Sequence, residues 1–350
     1  MKRNRIFTLC LVCLLLLGIA ATGSAQNKRI GTAAAPELLI PIGARDLAMG
    51  GSSMAISEGV EAIHWNPAGL GKMTSSAEAM FSNMTYIADI GVNYGAVAGS
   101  FGQFGTLALS LKSLNFGDIN ITTVDDPDGS GGRVFSPAFV TVGLSFARSL
   151  TEAISAGGSV KLISEQIHRV SASGVAFDFG VQYNKLGGIP GFSVGVAVKN
   201  IGGQMKFDGS GLLRDAIASD VSRGVQKFKS EAASFELPST IEIGLSYQRS
   251  FGDNIGALVS GSFTNNNLFL DEYRIGGEVQ VKLESMNLFA RTGIAMAPND
   301  QNAETENVFG ACFGGGISTN AAGLNITIDY AYRSTKFFDA NQVFSVKFGF

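Results

Sequence analysis

One stretch near the C-terminus, residues 324–333, has the sequence LNITIDYAYR, in which apolar and polar side chains alternate strictly. One face carries Leu324, Ile326, Ile328, Tyr330 and Tyr332, and the other carries Asn325, Thr327, Asp329, Ala331 and Arg333. An alternation of period two predicts a β-strand with one apolar and one polar face. The same alternation recurs at residues 273–284 and 175–184, so this stretch is one of a series.

Fourteen such strands are predicted along the chain, most of them about 10–14 residues long, which is enough for a tilted strand to cross a bilayer. They fall at residues 77–87, 90–101, 104–116, 138–148, 153–165, 173–184, 191–201, 238–250, 255–265, 270–283, 287–297, 305–318, 323–334 and 341–350. This pattern predicts an all-β fold, a transmembrane antiparallel β-barrel of about fourteen strands.

The connections between the strands support an even count. Those from even to odd strands are all short, whereas the long ones, 117–137, 202–237 and 298–304, all follow odd strands. Outer-membrane barrels have short periplasmic turns and longer outer loops. The parity therefore predicts that both termini lie in the periplasm.

The composition agrees with a barrel. The chain is 45% hydrophobic with a mean hydropathy of +0.22, yet no apolar run after residue 25 is long enough for a spanning helix. A closed barrel satisfies its backbone hydrogen bonds inside lipid, with apolar side chains outward and polar ones inward. A large secreted β-sandwich or β-propeller is the alternative.

Residues 1–25 have the features of a cleaved secretory signal peptide, which predicts export to the bacterial outer membrane. A basic start at residues 2–5 is followed by an apolar run at 6–19 and by the small residues 23–25 before Gln26.

Cleavage would remove Cys10 and Cys13 and leave only Cys312, so no disulfide can form within the mature chain. It would also leave 23 basic against 29 acidic residues, a net charge of −6. Nucleic acid is therefore not expected as a partner, because it requires a basic face.

Residues 26–76 lie between the signal peptide and the first strand and are too few for a core of their own. Their most distinctive parts are GARDLAMGGSSMA at residues 43–55 and AIHWNPAGL at residues 62–70. These motifs resemble the N-terminal signature of the PorV/PorQ family, which belongs to the FadL-like group of barrels. The resemblance implies that residues 26–76 form a plug, or hatch, inside a barrel made by residues 77–350.

The candidate plug motif comprises Gly43, Arg45, Gly50, Gly51, Asn66, Pro67 and Ala68. Pro67 fixes its own φ and biases Asn66 away from helix. Gly50 and Gly51 let the backbone pass close to the barrel wall. These residues either only shape the plug or act directly in gating or binding.

The chain ends VKFGF at residues 346–350, an alternating strand with a terminal aromatic. With Phe348 and Phe350, this ending resembles the C-terminal signal by which outer-membrane proteins are recognised for assembly. The resemblance implies the barrel-assembly machinery and outer-membrane lipid as partners. A buried C-terminal strand of a soluble protein would look similar.

Within the loop at 202–237, apolar residues recur at helical spacing. They are Leu213, Ile217, Val221, Val225 and Phe228. The spacing predicts an amphipathic helix on the outer side. Such a helix would cover the barrel mouth, form a ligand entrance, contact a partner, or only pack against neighbouring loops.

No catalytic or metal site is specified by the sequence. The two histidines, His64 and His168, form no metal-ligand cluster, and no Ser/His/Asp spacing is present, so neither an enzyme nor a cofactor is expected. Eight charged residues are predicted to face the lumen: Asp178, Glu242, Arg274, Glu278, Lys282, Asp329, Arg333 and Lys347. Such residues more often pair with one another or hold a plug than select solutes.

Two functions are compatible with these features. The resemblance to PorV implies an accessory of type IX protein secretion that binds or shuttles cargo, with the secretion translocon and cargo proteins as partners. The wider FadL-like group implies uptake of hydrophobic small molecules, with an apolar pocket in the lumen. The inward positions assigned here are mostly small or polar.

Overall fold

A computed structural model describes residues 31–217, 224–297, 307–321 and 323–350, so the predicted signal peptide lies outside the described residues. Within these ranges fourteen antiparallel strands pair in chain order, and the last strand pairs with the first to close a barrel. They are β1 Ala77–Thr85, β2 Gly91–Ser100, β3 Thr106–Asn115, β4 Ala138–Ser149, β5 Ile154–Ile167, β6 Val170–Asn184, β7 Phe192–Gly202, β8 Thr240–Phe251, β9 Ile255–Asn266, β10 Glu272–Lys282, β11 Met286–Met296, β12 Phe309–Ala321, β13 Leu324–Thr335 and β14 Asn341–Gly349. The predicted fourteen-stranded antiparallel barrel is confirmed.

The two faces of the wall follow the predicted alternation. On β6, for example, Val175, Phe177 and Phe179 are exposed on the outer surface, whereas Ala176 and Asp178 between them are buried. An apolar outer band with a polar interior is the arrangement of a barrel in lipid.

The barrel has a turn end and a loop end. At the turn end, even strands connect to odd ones through a few residues, including the 3-10 turns Gly102–Phe104 and Leu186–Gly188. At the loop end, the 3-10 turn Ile87–Asp89 connects β1 to β2, and the loop after β3 forms a small hairpin of Ile119–Asn120 with Val134–Phe135.

The amphipathic helix predicted in the loop after β7 is wrong for the described residues. Leu213–Ala216 pairs with Gln226–Lys229 as a hairpin, and Leu213 and Phe228 lie in its two strands. Ile217 and Val225 flank it, and Val221 lies outside the described residues. Residues 213–216 and 226–229 satisfy their backbone groups across the hairpin, and Gly224 between them disfavours helix. The described part of this loop also holds a second pairing, Met205–Lys206 with Ser234–Phe235, and the 3-10 turn Ser210–Leu212.

The N-terminal segment, residues 31–76, lies inside the barrel as a series of short turns. Its elements are the 3-10 turns Pro36–Leu39, Ser53–Ala55, Gly59–Glu61 and Pro67–Lys72, and the helices α1 Ala44–Ala48 and α2 Ala62–Trp65. Most of its side chains are buried against inward-facing residues of the wall. In the described ranges, no helix is long and apolar enough to cross a membrane.

The segment runs through the lumen from the loop end to the turn end. At its start, the backbone N–H of Ala34 donates to the carbonyl of Glu236 in the loop before β8, at 2.8 Å. At its end, Lys72 donates to the side chain of Asn184, the last residue of β6, at 2.8 Å. Ala77 and Phe350 both lie at the turn end, whereas the described N-terminal segment begins at the loop end, so the described chain does not have both of its ends on one side.

Candidate functional site

The Asn-Pro-Ala motif fastens the segment to the wall at β6 and β7. The Asn66 side-chain amide donates to the carbonyls of Val181 and Val196, at 3.2 and 3.4 Å, and these two residues are register partners on neighbouring strands. The Asn66 amide oxygen accepts from the backbone N–H of Ala68 at 3.1 Å, which caps the 3-10 turn that begins at Pro67. One side chain therefore orders the turn and attaches it to the barrel.

Two glycines of the motif allow the backbone to touch the wall. Gly50 and Gly51 have φ of +67° and +75°, in the left-handed region that favours glycine. A Cβ at Gly50 would lie 2.6 Å from the backbone nitrogen of Ile294 on β11, and one at Gly51 would lie 2.8 Å from the Trp65 ring. Any larger residue at Gly50 would push the segment off β11.

An ion-pair network holds the segment on its turn-end side. Arg45 donates to Glu278 of β10 at 3.3 Å, and Lys347 of β14 donates to Glu61 at 3.1 Å. Arg291 of β11 links Glu278 and Asp329, at 2.6 and 2.5 Å. Burial alone would raise the pKa of Glu61, but Lys347 and Arg45 outweigh it and lower the pKa. Glu61 is therefore ionised and holds the segment to β14.

Lysines of the wall hold the loop-end side through backbone carbonyls. Lys112 of β3 donates to the carbonyls of Glu37 and Ile40, at 2.7 and 2.5 Å, and Lys199 of β7 donates to that of His64 at 3.3 Å. Lys199 also pairs with Glu242 at 2.7 Å. Burial first, and then the nearby Lys112 and Lys199, lower the pKa of His64 well below its usual value, so this imidazole is neutral at pH 7.

Two cavities lie on opposite sides of the segment. The turn-end cavity, of about 480 Å³, is mainly polar, with Lys72, Glu78, Glu278, Arg291, Asp329 and Lys347 in its lining. The loop-end cavity, of about 290 Å³, has an apolar lining that includes Leu38, Leu39, Ile40, Trp65, Phe269 and Phe309. Polar and charged residues, among them His64, Lys199 and Arg274, also line it.

Of the predicted lumen charges, most pair as expected. Asp178 accepts from Lys161 at 2.6 Å, Arg274 lies near Glu242 at 3.9 Å, and Arg333 donates to the amide oxygen of Asn341. Lys282, at the turn end of β10, is exposed. In the described part of the chain, no group of three His, Cys, Asp or Glu side chains could hold a metal ion.

Sequence reasoning missed several charged residues of the lumen wall: Lys112, Glu165, Lys199 and Arg291, which are buried, and Lys161, which is half-buried. Each could have been found from the sequence, since each is a charged residue at an inward position of a predicted strand.

The motif residues Gly43 and Arg45 lie at the start of α1, with Gly43 against Met80 of β1. Phe348 and Phe350, at the end of β14, are half-buried and exposed, respectively, at the turn end.

The fold is similar to that of solved toluene transporters. The chain is similar to TbuX of Ralstonia pickettii, with 14% identity, coverage of 89% of this chain and 98% of that one, and a TM-score of 0.53. It is similar to TodX of P. putida, with 13% identity, coverage of 89% and 99%, and a TM-score of 0.55. A mutant of TodX, described as a monoaromatic hydrocarbon channel, gives 12% identity, 89% and 98% coverage, and a TM-score of 0.53.

At these identities the likeness is one of fold. The closed barrel and its apolar outer face define a β-barrel of the membrane-spanning type, and its fold is that of these toluene transporters. No protein-family model and no curated protein sequence matches the chain.

Proposed function

We propose that this barrel binds small, mainly apolar molecules in its loop-end cavity and passes them inward past the N-terminal segment. The single observation that carries the proposal is the cavity itself, about 290 Å³ in volume and lined by apolar side chains together with polar and charged groups. Ligand sites combine an apolar lining with a few placed polar groups, and their volumes start at about 300 Å³. The volume favours a small ligand over a long lipid chain.

The toluene transporters with this fold agree with such a ligand class, since they are described as transporters or channels for toluene and monoaromatic hydrocarbons. The inward-facing strand residues are mainly polar, so the apolar surface comes from elsewhere. Leu38, Leu39 and Ile40 belong to the N-terminal segment, and Phe269 belongs to the loop after β9. The N-terminal segment therefore fills the lumen and also forms part of the binding surface.

Equilibrium binding of labelled toluene to the purified protein in detergent tests the proposal. Phe269→Asp places a carboxylate in the cavity, and we expect a loss of affinity of about tenfold or more, the effect of losing about 1.4 kcal/mol of apolar contact. Phe337→Asp is the matched control, because Phe337 is exposed in the loop after β13 and does not line the cavity. Absence of saturable binding by the unchanged protein, or equal losses in both variants, would contradict the proposal.

A second candidate function is an accessory role in type IX secretion, with cargo or translocon subunits bound at the loop end. The observation that favours it is the hairpin after β7, where Ile217 and Val225 are each 66% exposed and Phe228 is 42% exposed. Exposed apolar side chains on a loop are a feature of protein contact sites. Affinity capture from solubilised outer membrane tests it, comparing the unchanged protein with Val225→Asp. Recovery of translocon subunits that the variant loses would support this role.

Export by a cleaved signal peptide belongs to both proposals. Intact-mass analysis of the protein from outer membrane is expected to give a chain that starts at Gln26. A mass that includes residues 1–25 would contradict cleavage at this site.

A further inference from the structure

The first turn of the N-terminal segment is clamped at the loop end of the barrel. Ala34, Ala35 and Leu38 are buried in one cluster with Ile163, Ala172, Ala176, Met205 and Leu237. These partners come from β5, β6 and the loop between β7 and β8, and that loop also accepts the N–H of Ala34 through Glu236. Residues 34–40 therefore connect the wall, the large outer loop and the lining of the loop-end cavity.

Two buried carboxyl groups meet inside this clamp. Glu37 of the segment is 2% exposed, Glu165 of β5 is 3% exposed, and their side chains are within hydrogen-bonding reach of each other. In the described ranges, neither carboxyl oxygen of Glu37 accepts a hydrogen bond from any N–H or O–H group. Lys112 of β3, which acts on Glu37 by its charge, donates to the backbone carbonyls of Glu37 and Ile40 instead.

Two carboxylates at hydrogen-bonding distance cannot both be ionised at low cost, so such a pair retains one proton. Burial, and then the charge of Glu165, raise the pKa of Glu37 to about 8. With one proton present, Glu37 and Glu165 can form a direct hydrogen bond. Without it, the same two groups repel each other.

Other charged groups near the pair do not neutralise it. Lys112 of β3 acts on Glu37, but burial and the carboxyl–carboxyl contact have the larger effect. Lys161 of β5 is paired with Asp178, and His64 of α2 is neutral. Glu236, on the neighbouring loop, is acidic and cannot supply a compensating charge.

We propose that Glu37 and Glu165 share one proton and form a latch that fastens residues 34–40 to β5, and that loss of this proton releases the turn. Pro36, Leu38, Leu39 and Ile40 line the loop-end cavity, so release of the turn opens the cavity on its segment side. The latch does not depend on which molecule the cavity takes.

The direction of the pH dependence follows from proton linkage. The closed state holds a proton that the open state, with Glu37 in water at its usual pKa of 4.5, does not hold. The closed state is therefore fully favoured below pH 4.5 and weakens as the pH rises. Opening increases about tenfold per pH unit between pH 4.5 and about 8 and is constant above that.

Hydrogen exchange of residues 34–40, measured by mass spectrometry on the full-length protein in detergent and corrected for intrinsic exchange, tests the latch between pH 5.5 and 9.5. In the unchanged protein we expect opening to rise about tenfold per pH unit up to about pH 8. Glu37→Gln should remove this slope and stay protected, because its amide donates to Glu165 without a titrating proton. Residues 62–72, which are fastened through Asn66, provide the internal reference.

Glu58→Gln is the matched control, since Glu58 is an exposed carboxylate of the same segment, and it should keep the slope of the unchanged protein. A flat profile in the unchanged protein, or an equal slope in Glu37→Gln, would overturn the proposal. A metal ion bridging the pair would also overturn it. In that case protection would be absent at pH 9 but return on adding Ca²⁺, and it would be lost at pH 6 on adding a chelator. Toluene binding is measured separately, so failure of the latch and failure of the proposed function are distinguishable.

Discussion

The two halves of the lumen differ in how they hold the N-terminal segment. On the turn-end side, ionised side chains of four strands and of the segment form one network beside a mainly polar cavity of about 480 Å³. On the loop-end side, lysines bind backbone carbonyls, and the segment contributes apolar side chains to a cavity of about 290 Å³. Ionised side chains therefore anchor the segment at the turn end, whereas at the loop end it is held mainly through its backbone carbonyls, and several of its apolar side chains line a cavity.

The largest expected effect comes from breaking the turn-end network. Arg291 is 5% exposed and bridges two carboxylates, so Arg291→Met leaves Glu278 and Asp329 buried without this partner. Removing one partner of a buried ion pair costs about 3–5 kcal/mol of unfolding free energy. Denaturant unfolding in lipid or detergent measures the loss.

Arg249→Met is the control for that measurement, because Arg249 is exposed on β8. It should change the unfolding free energy by less than about 0.5 kcal/mol. A loss below about 1 kcal/mol in Arg291→Met would mean that ion pairs do not anchor the turn-end half.

A smaller effect is expected where the segment touches the wall. Gly50→Ala adds a methyl group against the backbone of Ile294 at a left-handed φ, and overpacking of this kind costs about 1–3 kcal/mol. Gly203→Ala, at a position with open space and no positive φ, is the matched variant. Equal unfolding free energies for the two variants would show that the contact with β11 is not tight.

The smallest effect is expected at the motif asparagine. Asn66→Ala removes two hydrogen bonds to the wall and the cap of the turn at Pro67, and we expect a loss of about 1–2 kcal/mol. Hydrogen-exchange protection of residues 66–72 measures it. Asn83→Ala, which removes a side-chain hydrogen bond to Asn93 on the exposed surface, should leave that protection unchanged. Equal protection of residues 66–72 in the two variants would show that Asn66 does not anchor the segment.

The lipid and the lumen impose opposite polarity on the two faces of each strand, which explains why the strands were predictable. An alternation such as that of residues 324–333 can be satisfied only by a wall between these two environments. The hairpin after β7 was not predictable in this way. Its residues are exposed, so no buried face selects helix or strand, and cross-strand pairing decided the outcome.

The plug motif illustrates the same limit at the candidate site. Asn66, Pro67 and the glycine pair were identified from the sequence, but their contacts on β6, β7 and β11 depend on residues more than a hundred positions away. Neither Glu37 nor Glu165 belongs to a sequence motif. The contact between their side chains depends on the path of the segment along β5.

The sequence by itself determined the barrel, its strand number and its two faces, because local alternation specifies them. It also determined the resemblance of residues 43–70 to a family signature, because that resemblance is a local motif. The tertiary structure decided which lumen charges pair, that the described segment begins at the loop end, and where the apolar cavity lies. These features depend on side chains brought together across a closed barrel, and local sequence does not specify such long-range contacts.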